Sequence, residues 1–326
     1  MKKVLVTGGA GFIGGNFVHY MLDKYEDYKI YNLDKLTYAG ELTKHKDVEN
    51  DERYNFVHAD IADSKTIFDL FDEEKFDYVV HFAAESHVDR SIEDPSIFIK
   101  TNVLGTQVLL DAALKNNVTK FVHVSTDEVY GELPFDKSTF FTEQTPLNPN
   151  SPYSASKASS DLLVRAYHET YNMPINITRC SNNYGPYHFP EKLIPLTIKR
   201  ANNDEKIPVY GNGLNVRDWL HVSDHCSAID LVLHEGTIGE VYNVGGHNER
   251  TNIEVVKTIL SALNKSEDLI EFVEDRKGHD KRYAIDPTKL ENLGWKPKYN
   301  FDNGITQTIQ WYKDNVDWIE SIDENK

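Results

Sequence analysis

A short β-branched run, Lys3–Thr7, leads directly into Gly8-Gly9-Ala10-Gly11-Phe12-Ile13-Gly14, and an amphipathic pattern continues from Phe12 to Lys24. A strand, a tight glycine turn and a helix in that order limit the possible folds more than any compositional figure. Gly8 suits the turn, Gly11 lets backbone approach a pyrophosphate, and Gly14 lets the helix pack close to the strand. The anion would rest on free N–H groups at the positive end of the helix. Glycine-rich turns are common by themselves; the flanking strand and helix make this one a dinucleotide fingerprint. Asp34 ends the next predicted strand, where a carboxylate accepts both adenosine ribose hydroxyls and repels a 2′-phosphate. NAD is therefore expected over NADP, although Lys35 is a neighbouring cation that tolerates phosphate. Asp60-Ile61, after the third strand, suits the adenine edge, and an aspartate there serves equally as a helix cap.

The alternation continues. Predicted strands lie at Lys3–Thr7, Lys29–Leu33, Tyr54–His58, Tyr78–Phe82, Lys120–Ser125 and Ile175–Arg179. Predicted helices lie at Phe12–Lys24, Ser64–Phe71, Pro95–Asn116 and Pro152–Tyr171. Near-continuous apolar strands between helices imply a parallel sheet covered on both faces, with ligands at the strand C-termini. After Arg179 the pattern turns irregular, with Asn182-Asn183-Tyr184-Gly185-Pro186 followed by Pro190, Pro195 and Pro208, and a last amphipathic helix falls near Asn303–Lys313. The fold expected is α/β: a Rossmann-type doubly wound parallel sheet over residues 1–180. Residues 181–326 form a smaller, interleaved C-terminal substrate-binding domain, some of whose segments return to the sheet. The acidic tail Asp317–Lys326 is expected to fray.

The formal charge of 35 − 52 = −17 argues against a nucleic-acid partner, which requires a basic face. An anionic ligand would then need local Arg, Lys and helix N-termini. The apolar run after Met1-Lys2-Lys3 stops at Thr7, too short for a signal peptide, and no later stretch is read as a membrane span. Cys180 and Cys226 are isolated and the histidines lack metal-ligand spacing, so a reduced, cytoplasmic protein without a metal is expected.

Tyr153 and Lys157 are four apart on a predicted helix and so share a face. A phenol with an ordinary pKa of about 10 is a poor base at neutral pH. A nearby ammonium and a cationic nicotinamide would favour the phenolate. Thr126, ending the fifth strand, can hydrogen-bond the same substrate hydroxyl. A lone Tyr-x-x-x-Lys is often only a solvated pair; with the glycine loop and Ser125-Thr126 it becomes specific.

These features resemble the extended short-chain dehydrogenase family. Ser125-Thr126-Asp127-Glu128-Val129-Tyr130-Gly131 resembles the segment of its nucleotide-sugar 4,6-dehydratases, whereas its epimerases carry small or hydroxyl residues in place of Asp127 and Glu128. Eliminating water needs one group to take a carbon-bound proton and another to protonate the departing hydroxyl. Adjacent carboxyls can divide these roles, one held protonated by the other's charge. The resemblance extends through Asp34-Lys35-Leu36-Thr37-Tyr38-Ala39-Gly40, Ala83–Ser91, Tyr153–Lys157 and Cys180–His188. It implies NAD contacts from Gly8, Gly11, Phe12, Ile13, Gly14, Asp34, Lys35, Leu36, Thr37, Asp60 and Ile61. Phe82, Ala83, Ala84, Glu85, Ser86, Thr101, Tyr153, Lys157 and Asn183 would complete that set.

The resemblance also implies dTDP-glucose as the substrate, held by Ser86, Thr126, Asn182, Lys192, Leu193, Pro208, Val209, Tyr210, Arg217 and Asn252. Asp275, Arg276, Lys277, Gly278 and His279 would close the set. Arg217 and Arg276 suit a diphosphate because guanidinium donors match phosphate oxygens; either serves equally as a surface arginine. The family usually has proline where Lys277 stands, so this loop is expected to be less preorganised. The implied activity is hydride removal at C4, loss of water across C5–C6 and hydride return to C6. A 4-epimerase and a non-catalytic NAD-sensing protein are the rivals. Asp127 and Glu128 argue against the first; Thr126, Tyr153 and Lys157 argue against the second. A homodimer is expected through Pro95–Asn116 and Pro152–Tyr171, whose Val103, Leu109, Leu110, Leu162, Leu163 and Ala166 could equally face the sheet.

Overall fold

The computed structural model describes residues 1–324. The first half runs β1 (Lys2–Thr7), α1 (Phe12–Lys24), β2 (Tyr28–Asp34), β3 (Tyr54–His58), α2 (Ser64–Glu74), β4 (Tyr78–His81), α3 (Val88–Glu93) and α4 (Pro95–Phe98). Then come α5 (Thr106–Lys115), β5 (Lys120–Thr126), α6 (Pro152–Tyr171) and β6 (Ile175–Cys180). The second half runs β7 (Asn182–Tyr184), α7 (Leu193–Asn202), β8 (Ile207–Tyr210), β9 (Val216–His221), α8 (Val222–Glu235) and β10 (Val241–Val244). It ends with β11 (Glu249–Thr251), α9 (Asn252–Ala262), β12 (Ile270–Val273), α10 (Thr288–Glu291), α11 (Phe301–Asp314) and α12 (Val316–Glu324).

Seven parallel strands form one sheet in the order β10-β6-β5-β4-β1-β2-β3. The order reverses between β1 and β4, opening the crevice where doubly wound sheets bind ligands. Val4, Leu5 and Val6 of β1 are fully buried because helices cover both faces. One face packs on α1 and α8 through Phe17, Met21, Ile229 and Val232. The other packs on α2, α5 and α6 through Ile67, Phe71, Leu109, Ala113 and Val164. Local chemistry sets the boundaries. Asp63 caps α2 by accepting from the Thr66 N–H, and α6 opens on a Ser151–Ser154 capping box with Pro152 in its first turn. Asn172, at φ 53°, ends α6 in the left-handed conformation.

Three expectations need correction. The helix expected over Pro95–Asn116 is divided into α4, a π-helical stretch Ile99–Gly105, and α5. There the Thr106 hydroxyl donates to the Asn102 carbonyl at 2.6 Å, while the Asn102 side chain faces inward to Glu85 and Ser156. Such bulges re-aim side chains near functional sites. The tail does not fray at Asp317: α12 continues to Glu324, with Trp318, Ile319 and Ile322 buried against Tyr187, Trp311 and Tyr312. Apolar residues at three- and four-residue spacing outweigh the local acidity; residues 325 and 326 of the expected fray lie outside the described residues. Finally, Pro95–Lys115 does have the length and mean hydropathy, 1.3, of a membrane span. Half of it is buried here between α2, α6 and the sheet, as a core helix is.

The second half is built around β7, β9 and β11 and the β8–β12 pair, with α7, α9, α11 and α12 packed around them. Its α8 and β10 belong to the large sheet's layers.

Candidate active site

A cavity of about 380 Å³ lies at the β1/β4 switch point and extends across the tips of β5 and β6. Gly8 adopts φ 74°, and a Cβ there would meet the Ala83 nitrogen at 2.6 Å. At Gly14 a Cβ would meet the Gly8 carbonyl at 2.4 Å. The loop therefore requires both glycines, one for conformation and contact, the other for contact alone. No side chain caps the start of α1, so its N-terminal amides are left for an anion. Asp34 accepts from the Ala10 and Leu36 amides at 3.0 and 2.8 Å, and burial raises its carboxyl above the ordinary range. Lys35 pairs with Asp60 at 2.8 Å, which occupies the cation that could have welcomed a 2′-phosphate. Asp63, not Asp60, caps α2, so Asp60 keeps its place on the cavity wall beside Ile61.

Gly11, Phe12, Ile13, Thr37, Phe82, Ala83, Ala84, Glu85, Ser86, Thr101 and Asn183 also line this cavity, as do Asn182, Lys192 and Leu193. Leu36 does not line it; at φ 55° it turns the chain beside Asp34. The Asn102 amide bonds both backbone groups of Glu85 and the Ser156 hydroxyl at 2.8–3.0 Å, fixing the exit of β4 to α6.

Thr126, Asp127, Glu128, Tyr153 and Lys157 meet at the far end of the cavity. After β5 the chain enters a 3-10 turn, Asp127–Tyr130, and the Thr126 hydroxyl accepts from the Glu128 amide at 3.3 Å. Asp127 is 1% exposed, and its Oδ2 has no hydrogen-bond partner among the described residues. Burial, then the charges of Glu128 and Asp218, raise its carboxyl well above the ordinary range. Burial raises Glu128 as well, but Arg217, Lys192 and Arg276 pull it back. The two neighbours thus sit in unlike surroundings.

Tyr153 departs from the sequence expectation. Burial, then Glu128 and Cys180, hold its phenol well above its usual value, against the Thr126 hydroxyl, which lowers it. Lys157 donates to the Val124 carbonyl at 2.8 Å rather than to the phenol, and burial pushes it down to about 8. Behind it Asp161, held at about 2 by the adjacent Arg179 against the cost of burial, pairs with Arg179 at 2.8 Å. The protein alone therefore keeps the tyrosine protonated.

The remaining expected substrate residues do not line this cavity. The Val209 side chain is 2% exposed in a core with Ile207, Val256 and Leu260, so it cannot touch a ligand. Strand alternation explains this: Pro208 and Tyr210 point the other way. Arg217 is buried, donates to the Val216 and Asp280 carbonyls and lies 4.2 Å over the Tyr283 ring. Asn252 opens α9 and donates its amide to the Asn215 carbonyl. Arg276 makes a bidentate pair with Asp89 of α3 at 2.5 and 2.9 Å. His279 bonds Asp275 at 2.6 Å, Lys277 is exposed and Gly278 takes φ 64°. The loop expected to be less preorganised without proline is held by the Arg276–Asp89 ion pair and the His279–Asp275 hydrogen bond. Sequence reasoning gave no contact to His188, which stacks on Phe12 at 4.2 Å, nor to Tyr38 and Glu191, bonded at 3.2 Å on the cavity wall. They lie on irregular loops, where no periodic signal exists.

A dinucleotide crevice that ends in a Tyr–Lys helix pair facing two carboxyls defines an NAD-dependent dehydratase of the extended short-chain dehydrogenase class. Residues 5–308 match the family model described as GDP-mannose 4,6 dehydratase, and the chain belongs to that family. It is 51% identical to a dTDP-glucose 4,6-dehydratase of Escherichia coli, over 98% of this chain and 96% of that one. A crystal structure of dTDP-glucose 4,6-dehydratase from Bacillus anthracis in complex with NAD superposes with a TM-score of 0.92 at 52% identity, covering 99% of this chain and 100% of that one. A UDP-glucose 4-epimerase of Thermus thermophilus in complex with NAD reaches 0.89 at 31% identity, over 96% of this chain and all of that one.

Proposed function

We propose that this protein converts dTDP-glucose to dTDP-4-keto-6-deoxy-D-glucose, with NAD as its cofactor. The observation that carries the reading is the Asp127–Glu128 turn, with Asp127 buried, in the same cavity as Tyr153 and the glycine loop. The uncapped α1, the glycine cradle and the Asp34 carboxylate fit a dinucleotide. When bound, NAD supplies a hydride acceptor at C4 that later returns the hydride to C6, and a positive charge near Tyr153.

Tyr153 takes the C4 hydroxyl proton, with Thr126 bonding the same hydroxyl. The resulting ketone acidifies the C5 proton. Glu128, whose charged form is supported by Arg217, Lys192 and Arg276, removes it. Asp127, whose carboxyl burial and its anionic neighbours raise well above the ordinary range, gives its proton to the departing C6 hydroxyl. Glu128 then returns a proton to C5 as C6 regains its hydride, and the proton taken by Tyr153 passes through solvent to restore Asp127. Arg217, Arg276 and Lys192 suit the substrate diphosphate, which would replace Asp89 as the partner of Arg276. In this reading residues 1–180 hold the cofactor and residues 181–326 mainly the nucleotide sugar.

We further place the protein in the cytoplasm, where nucleotide sugars and NAD are available, and read it as a homodimer. Leu109 and Leu110 are buried in the core, but Ile99, Leu104, Leu162 and Ala166 are exposed on helical segments that pack side by side. That face suits a second copy. The function is tested by incubating the purified protein with dTDP-, UDP- and GDP-linked hexoses: only the dTDP sugar should yield a product lighter by one water. Equal turnover of all three would defeat the substrate assignment, and a C4 epimer of unchanged mass would defeat the reaction.

A further inference from the structure

A loop that turns its N–H groups toward an anion must turn its carbonyls inward, where they need donors. Here the donors come from one short turn, Thr43–His45. The Lys44 ammonium donates to the Ala10 and Gly11 carbonyls, each at 2.8 Å. His45 Nε2 donates to the Gly9 carbonyl, also at 2.8 Å. Lys44 is 3% exposed and His45 2%. A neutral donor would satisfy a carbonyl equally well, so a buried ammonium there has a further consequence. The adjoining helix also makes room for it: a Cβ at Gly15 would meet the Lys44 side chain at 2.6 Å.

We propose that Lys44 is a positioning residue for the dinucleotide, fixing the glycine loop in its anion-binding shape and placing a positive charge behind the diphosphate. The proposal rests on the NAD reading above. Its consequence is linkage: protonation of Lys44 and binding of the diphosphate favour one another. The surroundings are mixed. Asp34 and Glu41 are the nearby anions and the Tyr187 ring lies 5.9 Å from the ammonium. His19 bonds the Lys44 carbonyl, stacks on His45 at 5.1 Å and lies 3.7 Å from Asp47. Burial pushes His45 down to about 4, so it is a neutral Nε2–H donor throughout the useful range, with Nδ1 buried and unpaired among the described residues.

Burial likewise pushes Lys44 down to about 8, against Glu41 and Asp34. A bound diphosphate raises it again. Affinity is therefore full below about pH 8, falls as pH rises through that value, and levels off above the lysine's pKa in the complex.

The test is calorimetric titration of the full-length protein, freed of dinucleotide, with NAD from about pH 7 to about 9.5 in buffers of different ionisation enthalpy. The parent should take up part of a proton per NAD near the middle of that range, and its affinity should fall on the order of tenfold across it. Lys44→Met should bind NAD about tenfold more weakly at pH 7, without proton uptake or pH slope. Lys44→Arg keeps its charge and should hold the neutral-pH affinity while also losing the slope. Titration with dTDP, which uses the other half of the cleft, checks that each variant is folded. Should Lys44→Met not fold, the Lys44→Arg comparison decides alone. A parent that binds NAD with no proton uptake, or an arginine variant with the parental slope, overturns the proposal. A parent that binds no NAD at any pH overturns the functional reading and this inference with it.

Discussion

Asp127 and Glu128 are adjacent in sequence, yet Glu128 is drawn by three cations and Asp127 faces two anions. That asymmetry fits the proposed division of roles, Glu128 as base and Asp127 as acid. Asp127→Asn and Glu128→Gln preserve shape and remove proton transfer, so dehydration should fall by about 100- to 10,000-fold. The measurement is the release of water from dTDP-glucose, with turnover in deuterated water placing label at C5 in the parent. Substrate deuterated at C4 should deliver its label to C6. Tyr153→Phe should instead block the first oxidation. A stability effect accompanies the catalytic one. The folded-state pKa of Asp127 lies above its unfolded value. Its contribution to stability is present below that unfolded value, about 4, and is lost as pH rises toward the folded one. Asp127→Asn should therefore melt above the parent at neutral pH, with the difference vanishing in acid. Melting curves at several pH values check this, and a variant less stable than the parent at pH 7 would contradict it.

Helices and turns deliver these groups. The capping box at Ser151 and Pro152 starts α6 one residue before Tyr153, so the tyrosine and Lys157 lie on its first two turns, facing β5. The π-helical stretch Ile99–Gly105 turns Asn102 inward, and Gly105 lets Ile61 approach where a Cβ would meet it at 2.6 Å. At the other end, α12 is secured by Trp318 against Tyr187, Trp311 and Tyr312. Trp318→Ala removes a large buried ring, and comparable truncations cost about 3–5 kcal/mol. Denaturant titration should show a loss of that order, whereas a tail without structural weight would leave the midpoint unmoved.

The molecule as a whole brings its two halves together over the sheet's C-terminal edge. Asp89 and Arg276 meet across that edge although 187 residues separate them. The large sheet also depends on β10, which comes from the second half of the chain and pairs with β6. Assembly belongs to the same scale. Ile99 and Leu162 are 53% and 55% exposed on packed helical segments, the apolar face assigned above to a second copy. Light scattering should find a dimer at micromolar concentration, and Ile99→Asp combined with Leu162→Asp should yield a folded monomer. A parent that is monomeric under those conditions removes the dimer.

Most of the first half could be read from the chain because its signals are local. The β1–glycine loop–α1 unit, Asp34 at the end of β2 and the Tyr153/Lys157 spacing each lie within one or two adjacent elements, where period, cap and turn chemistry act directly. The carboxyl pair was visible for the same reason, but its electrostatics were not. Whether Asp127 keeps its proton depends on Asp218, and whether Glu128 loses it depends on Arg217 and Arg276, all far along the chain. The lysine's partner was likewise decided by packing, which gave its ammonium to the Val124 carbonyl and left Tyr153 protonated in the protein alone. The buried Lys44 behind the loop and the Asp89 partner of Arg276 carry no sequence motif, and the apolar spacing of the tail becomes a helix only where Tyr187, Trp311 and Tyr312 receive it. Each depends on which surfaces meet once the sheet has formed, because burial and charge proximity are properties of the folded chain and not of residue order.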